Sequence, residues 1–268
     1  MNPIILIALH KKSIIPDDSL YLPVLAGAAS HDKNLSIKAQ PDNTGSNISK
    51  KNPYFCELTV MYWAWKNISS KYSHIGLCHY RRYFSIRKPL SMKQDKRLLS
   101  VLKREDANKL LKTSDIILPR KRNYYIESLF DHYAHTLHIE PLELTGEIIK
   151  EKYKKYYPEF DRLHKRKSAH MFNMFIMRKD FFDDYCKWLF DILFELEVRV
   201  KELNLKYNAF HSRFYGRISE LLLDIYINTE KLAYTELPVF SPKPTNWIKK
   251  GSSFLLAKIA KKKYSKSF

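Results

Sequence analysis

The stretch Ile75-Gly76-Leu77-Cys78-His79-Tyr80-Arg81-Arg82-Tyr83-Phe84 decides how this chain is read. A short apolar run of this kind predicts a buried strand. It stops abruptly at an imidazole, two guanidiniums and three aromatic rings. In open α/β sheets ligands bind outside the carboxyl ends of strands, so these side chains stand where a substrate would. Unpaired charges in a core are costly, so Arg81 and Arg82 need an anion. It is either a carboxylate of a neighbouring helix or a ligand. Guanidinium forks match a diphosphate, and aromatic faces match a base or a sugar ring.

Working outward, Ile4 to Leu9 predicts a buried first strand ending at His10-Lys11-Lys12. Residues 40–51 form a polar loop rich in turn formers. Asn52-Pro53 reads as a helix start, with Asn as the cap and Pro in the first turn. The helix that follows carries Leu58, Met61, Tyr62 and Trp65 on one face. Residues 90–111 read as a charged, solvated helix. Asp115 to Leu118 is a second strand, closed by Pro119 and followed by Arg120-Lys121-Arg122. Helices are predicted over residues 127–138 and 142–153, and a strand over 171–177. A long amphipathic helix starts at Asp180, and another helix spans about 213–228. Strands alternating with helices predict an α/β sheet. Pro238 to Pro244 reads as a linker, giving one domain over residues 1–240 and a basic amphipathic tail over 241–268.

The 268 residues carry 45% hydrophobic and 14% aromatic side chains, a globular composition rather than a disordered one. The net charge is +19. After Trp247 come Lys249, Lys250, Lys258, Lys261, Lys262, Lys263 and Lys266 with no acid. Such a field attracts polyanions: nucleic acid, anionic lipid headgroups or phosphorylated substrates. Cys56, Cys78 and Cys186 lack ligand spacing and read as small buried hydrophobes in a reducing compartment. The apolar N-terminal run lacks a secretion signature and is too short to cross a bilayer, so the expectation is a cytoplasmic protein.

Several side chains are candidates for chemistry. Arg122 ends the second strand, on the same sheet edge as Arg81 and Arg82 if the two strands are parallel. His132, His135 and His138 follow Glu127 and Asp131, and a helix spreads these histidines over about 120° of arc, which suits tetrahedral metal ligation poorly. His132 is therefore either a substrate-facing acid or base, or an ordinary surface histidine. Asn173 inside an apolar run must hydrogen-bond to backbone or to a ligand. Glu220 shares a helix face with Arg213, Arg217 and Asp224; that face is either a solvated ion-pair ladder or, if it borders the cleft, the site of a base. Glycine-rich phosphate loops and the nucleophile elbow are absent, so phosphate binding must rest on side chains.

These blocks resemble a known family. Residues 43–49, 54–59, 62–67, 75–84, 117–124, 170–177 and 216–222 occur in the order found in bacterial capsular and lipopolysaccharide glycosyltransferases formerly grouped as a domain of unknown function. His-Tyr-Arg-Arg-Tyr-Phe (79–84) is the most specific block. The resemblance implies a GT-A-like, Rossmann-like mixed sheet flanked by helices and a transferase moving a hexose, galactose or galactofuranose, from a UDP-sugar. The implied acceptor is a glycan or a polyprenyl-diphosphate-linked glycan of capsule or lipopolysaccharide. It implies that Thr44, Asn47 and Glu57 hold the nucleoside and that His79, Arg81, Arg82 and Arg122 hold the diphosphate. His170 and Asn173 would line the sugar side, with Glu220 or His132 as catalytic base. A divalent cation (Mn or Mg) serves many GT-A enzymes, but the Asp-x-Asp motif that holds it has no counterpart here, so no metal ligand is assigned. The basic tail is expected to place the enzyme on the anionic inner face of the plasma membrane, each lysine adding roughly 1 kcal/mol. Two other classes fit the charge, a nucleic-acid-binding protein and a non-catalytic adaptor of a polysaccharide assembly complex; nucleic acid is not among the expected partners.

Overall fold

The computed structural model describes residues 1–31, 37–87 and 98–242. Its centre is a seven-stranded sheet whose strands lie in the order Tyr234–Leu237, Ile116–Pro119, Phe175–Arg178, His74–His79, Pro3–Leu9, Tyr21–Leu25 and Gln40–Pro41. In chain order the elements are β1 (Pro3–Leu9), β2 (Tyr21–Leu25), β3 (Gln40–Pro41), α1 (Asn52–Phe55), α2 (Leu58–Asn67), β4 (His74–His79) and β5 (Tyr83–Phe84). Then come α3 (Arg104–Leu110), β6 (Ile116–Pro119), β7 (Arg122–Asn123), α4 (Leu129–Thr136), α5 (Glu140–Lys152) and α6 (Tyr157–Asp161). Last are β8 (Ser168–Ala169), β9 (Phe175–Arg178), α7 (Lys179–Glu202), α8 (Phe214–Glu230), β10 (Tyr234–Leu237) and β11 (Val239–Phe240).

Every residue of β1 is buried. Successive side chains of a strand point to opposite faces, so a strand covered on both faces reads as an unbroken apolar run. Ile4, Leu6 and Ala8 join the larger core, with Ile75, Leu77, Phe175 and residues of α2, α7 and α8. Ile5, Ile7 and Leu9 join a smaller core on the other face, with Tyr83, Phe84, Leu102 and Ala107. All pairings in the sheet are parallel except those of β9, which runs antiparallel between β4 and β6. The carboxyl ends of β4 and β6 therefore point the same way, and β9 begins at that shared edge.

Four readings of the sequence are corrected. The helix beginning at Asn52 is broken: α1 is one turn, Cys56 takes φ 52°, and α2 starts at Leu58. Asn52 is the first helical residue rather than its cap, and its amide donates onward to the Cys56 carbonyl (2.8 Å) and Thr59 Oγ1 (3.2 Å). The 171–177 strand shrinks to β9, because Phe172 (φ 81°) and Asn173 (φ 50°) form a left-handed turn before it. The proposed linker contains β11, which pairs with β5 and keeps the chain on the body to Phe240. The helix expected over 90–111 is interrupted: residues 99–103 are turn and extended chain, with Val101 bridging Ser85, and α3 begins only at Arg104; residues 88–97 and the basic tail 243–268 lie outside the described residues.

Gly76 lets β4 sit close to its neighbours. A Cβ there would lie 2.8 Å from the Phe175 carbonyl oxygen and 3.0 Å from Ile5 Cγ1. Overpacking of this kind costs about 1–3 kcal/mol. Gly76→Ala is expected to lower unfolding free energy by that amount in urea titration; an unchanged midpoint would contradict the packing described here.

Candidate active site

The sheet order reverses beside β1. β2 lies on one side of it and β4 on the other, so a crevice opens outside their carboxyl ends, the switch point where α/β sheets bind ligands. His10 follows the end of β1 and His79 ends β4, with ring centroids 6.4 Å apart. Two adjoining hollows share Cys56, Glu57, His79, Arg81 and Arg213 and form one cleft. The roomier lobe, about 380 Å³, lies over the switch point against Leu9, His10, Ala26 and Asn52. The smaller, about 180 Å³, adds Arg82, Phe172, Gly216, Arg217 and Glu220.

The arginines meet the cleft without carboxylate partners. Among the described residues no ion pair involves Arg81, Arg82, Arg122, Arg213 or Arg217. Instead Arg81 Nε donates to the Tyr80 hydroxyl (3.0 Å), and Arg82 stacks on the Phe172 ring at 4.0 Å. Arg217 stacks on Phe210 at 4.0 Å, and its buried Nη1 has no hydrogen-bond partner. Arg213 Nε donates to Cys56 Sγ (3.0 Å), a contact created by the helix break at Cys56. Burial pushes the Arg82 and Arg217 guanidiniums below the usual range, an effect opposed by Glu220 at Arg82 and chiefly by Tyr133 at Arg217.

Burial and the neighbouring arginines drive His79 down to about 3, so its ring is neutral at physiological pH. The Arg81 backbone N–H donates to His79 Nδ1 (3.3 Å), which leaves the ring proton on Nε2 as a donor. Glu220 moves the other way. Burial, then the nearby Glu57 carboxylate, raises it to about 7, against the pull of Arg82, Arg122 and Arg217. Glu57 is held in place: Asn173 Nδ2 donates to Glu57 Oε1 (2.8 Å) and to the Gly216 carbonyl (2.9 Å), tying β9's entry turn to α8. A carboxyl poised near neutrality beside desolvated guanidiniums is equipped to take a proton while an anion forms next to it.

The structure brings Glu57, His79, Arg81, Arg82 and Glu220 together. Arg122, exposed on β7, reaches the group through its field on Arg82 and Glu220. Asn173 acts on the cleft through Glu57 rather than lining it. The other assignments fall elsewhere. Thr44 accepts from Trp63 Nε1 (2.9 Å), and Asn47 bonds within its own loop to the Gly45 carbonyl (2.9 Å). His170 is buried between Asp224 and Glu236, bonding the first through Nδ1 and the second through Nε2 (2.8 Å). His132 packs its ring at a tilt against Tyr124 and bonds Glu127 through Oε1 (2.7 Å), while Oε2 of the same carboxylate reaches His135 (2.9 Å). None of these four lines the cleft.

The sequence reading passed over His10, Cys56, Phe172, Arg213 and Arg217 as site residues. The i, i+4, i+7 spacing of Arg213, Arg217 and Glu220 was the available signal, since it lines up Arg217 and Glu220 on one face of α8 with Arg213 at its N-cap. Asp42 was also missed. Fully buried, it accepts from the Gly27 and Ala28 amides (2.9 Å each), Thr59 Oγ1 (2.7 Å) and Ser49 Oγ, and so fixes the wall beside Ala26. Glu57 gives one oxygen to Asn173, and the other charged groups around the two carboxylates are guanidiniums. Among the described residues no cluster of three or more His, Cys, Asp or Glu is placed to hold a metal.

The sheet with its antiparallel β9 and the cleft over its switch point define a GT-A-like fold. The chain belongs to the family described as a domain of unknown function (DUF4422), whose profile matches residues 4–231. It is similar to the solved apo structure of WbbM, described as a bifunctional glycosyltransferase, with a TM-score of 0.80 and 29% identity. That match covers 90% of this chain and 45% of WbbM, so the chain spans less than half of that protein's length. No curated protein matches the chain.

Glu57→Gln removes the like charge facing Glu220. The Glu220 midpoint, followed by carboxyl ¹³C NMR, is expected to fall from about 7 toward the ordinary carboxylate range; an unmoved midpoint would contradict the coupling.

Proposed function

We propose that this chain is a glycosyltransferase that moves a hexose, galactose or galactofuranose, from a UDP-sugar to a capsule or lipopolysaccharide glycan carried on a lipid. The observation that carries the reading is the meeting of Glu220, raised to about 7, with Arg81 and Arg82, which have no carboxylate partner among the described residues, in one cleft at the switch point. Similarity to a protein described as a glycosyltransferase supports it.

In this mechanism the nucleoside occupies the larger lobe, and the diphosphate crosses to Arg81 and Arg82. The His79 Nε2–H donates to a phosphoryl oxygen. The sugar lies in the smaller lobe beside Glu220. Glu220 takes the proton from the acceptor hydroxyl as that oxygen bonds to the anomeric carbon. The bond to the diphosphate breaks with its electron pair, and UDP leaves with the added charge spread over the guanidiniums. One base and one displacement give an inverting course. Charge that develops on the leaving oxygen is stabilised most by donors already in place, and loss of one such donor costs about 10²-fold or more in rate. Asn173 and Glu57 are positioning residues that keep Glu220 protonatable near neutral pH. The anionic inner membrane face, reached by the basic tail, is where the lipid-linked acceptor is met.

Turnover should depend on pH in a defined direction. The base works only when deprotonated, so kcat/KM is expected to rise with pH through about 7 and level above it. Glu220→Gln should remove both the rise and the activity. Stability should move oppositely. Folded Glu220 keeps a proton that the unfolded chain releases above about 4.5, so folding weakens as pH rises from there to about 7. Glu220→Gln is therefore expected to have a higher Tm than the parent at pH 8 and a nearly equal one at pH 4.5.

Release of UDP from a panel of UDP-hexoses tests the activity itself. Arg82→Ala is expected to reduce it by about 10²-fold or more while the protein stays folded. An unaffected rate sinks the assignment.

A further inference from the structure

β7 and β8 form a two-stranded ribbon outside the main sheet, pairing Arg122 with Ala169 and Asn123 with Ser168. The Tyr124 amide extends the pairing to the Lys167 carbonyl (2.8 Å). Arg120, Lys121, Arg122, Lys165 and Lys167 are all exposed, and none forms an ion pair among the described residues. Two nearby acids are occupied, Glu127 by His132 and His135 and Glu159 by Arg162 and Arg166; Asp161 is exposed and forms no ion pair among the described residues. Past Tyr124 the chain exposes two large apolar side chains in succession, Tyr125 (77% exposed) and Ile126 (60%). The ribbon leads into the cleft: β8 ends at Ala169, three residues before Phe172, which lines it, and the charge of Arg122 acts on Glu220 and Arg82.

We propose that this basic ribbon with its apolar tip is the surface by which the chain rests on an anionic lipid bilayer. The charge complements acidic headgroups, and amphipathic aromatic rings favour the interfacial layer. Ile126 separates this partner from the other polyanions. An aliphatic side chain gains nothing from a nucleic-acid backbone or a hydrated glycan but gains by entering the headgroup–acyl boundary. A membrane-borne acceptor, as proposed above, gives the contact its purpose, and the ribbon's place beside the cleft brings Glu220 toward the bilayer. Vesicle binding needs no turnover, so this surface and the transferase reading fail separately.

The test is co-sedimentation of the full chain with vesicles of phosphatidylcholine alone and with one-third phosphatidylglycerol. The parent is expected to bind only the anionic vesicles. Arg120→Gln/Lys121→Gln should weaken binding about twentyfold or more, since each cation near the surface is worth roughly fivefold. Tyr125→Ser/Ile126→Ser should weaken it several-fold, whereas Val198→Ser/Leu203→Ser, exposed apolar residues elsewhere, should not. Matching thermal melts establish that all variants fold. Absence of parent binding overturns the proposal, as does full binding by both ribbon variants. A loss in the charge variant alone, matched by an equal loss of heparin binding, also overturns it and marks a general polyanion surface.

Discussion

The site depends on a positive field that the protein does not neutralise. Four guanidiniums line the cleft with only two carboxylates, and one of those carboxylates is raised to about 7. Cations taken partly out of water are costly unless an anion arrives. Their positions are held by means other than charge: Arg82 by the Phe172 face, Arg217 by Phe210, Arg213 by a thiol, Arg81 by a phenol. Stacking fixes the planes of these side chains while leaving donor atoms uncommitted. An anion entering the cleft therefore meets donors already arranged.

Local irregularities build that arrangement. The helix break at Cys56 places Cys56 and Glu57 on the cleft wall instead of inside a continuous helix. The left-handed turn at Phe172 and Asn173 delivers one ring to Arg82 and one amide to Glu57. Left-handed backbone is uncommon outside glycine, and such strain concentrates at functional sites. Both irregularities reach the cleft because β9 runs against its neighbours: its first residues lie at the edge where β4 ends. A parallel β9 would put that turn on the far side of the sheet.

Much of this was legible in sequence. The unbroken run of β1, the Ile75–Cys78 run and the long stripe of α7 follow from local periodicity, and the Arg81-Arg82 pair announces a strand end that needs an anion. What was not legible depends on distant partners. A four-residue strand such as β9 carries no direction in its sequence, so its antiparallel insertion could not be read. The polar face of α8 stayed open between a solvated ladder and a cleft wall, because only contacts with residues over a hundred positions away show that it borders a cleft. His170 looked like a sugar ligand until Asp224 and Glu236, 54 and 66 residues on, took both ring nitrogens. The break at Cys56 has neither glycine nor proline to mark it.

The central claim is that these guanidiniums grip a diphosphate at the switch point. A crystal structure of the chain soaked with UDP tests it most directly. The account predicts the diphosphate within hydrogen-bond distance of Arg81 and Arg82, with uracil in the larger lobe. A nucleotide bound elsewhere, with both arginines unengaged, would contradict it.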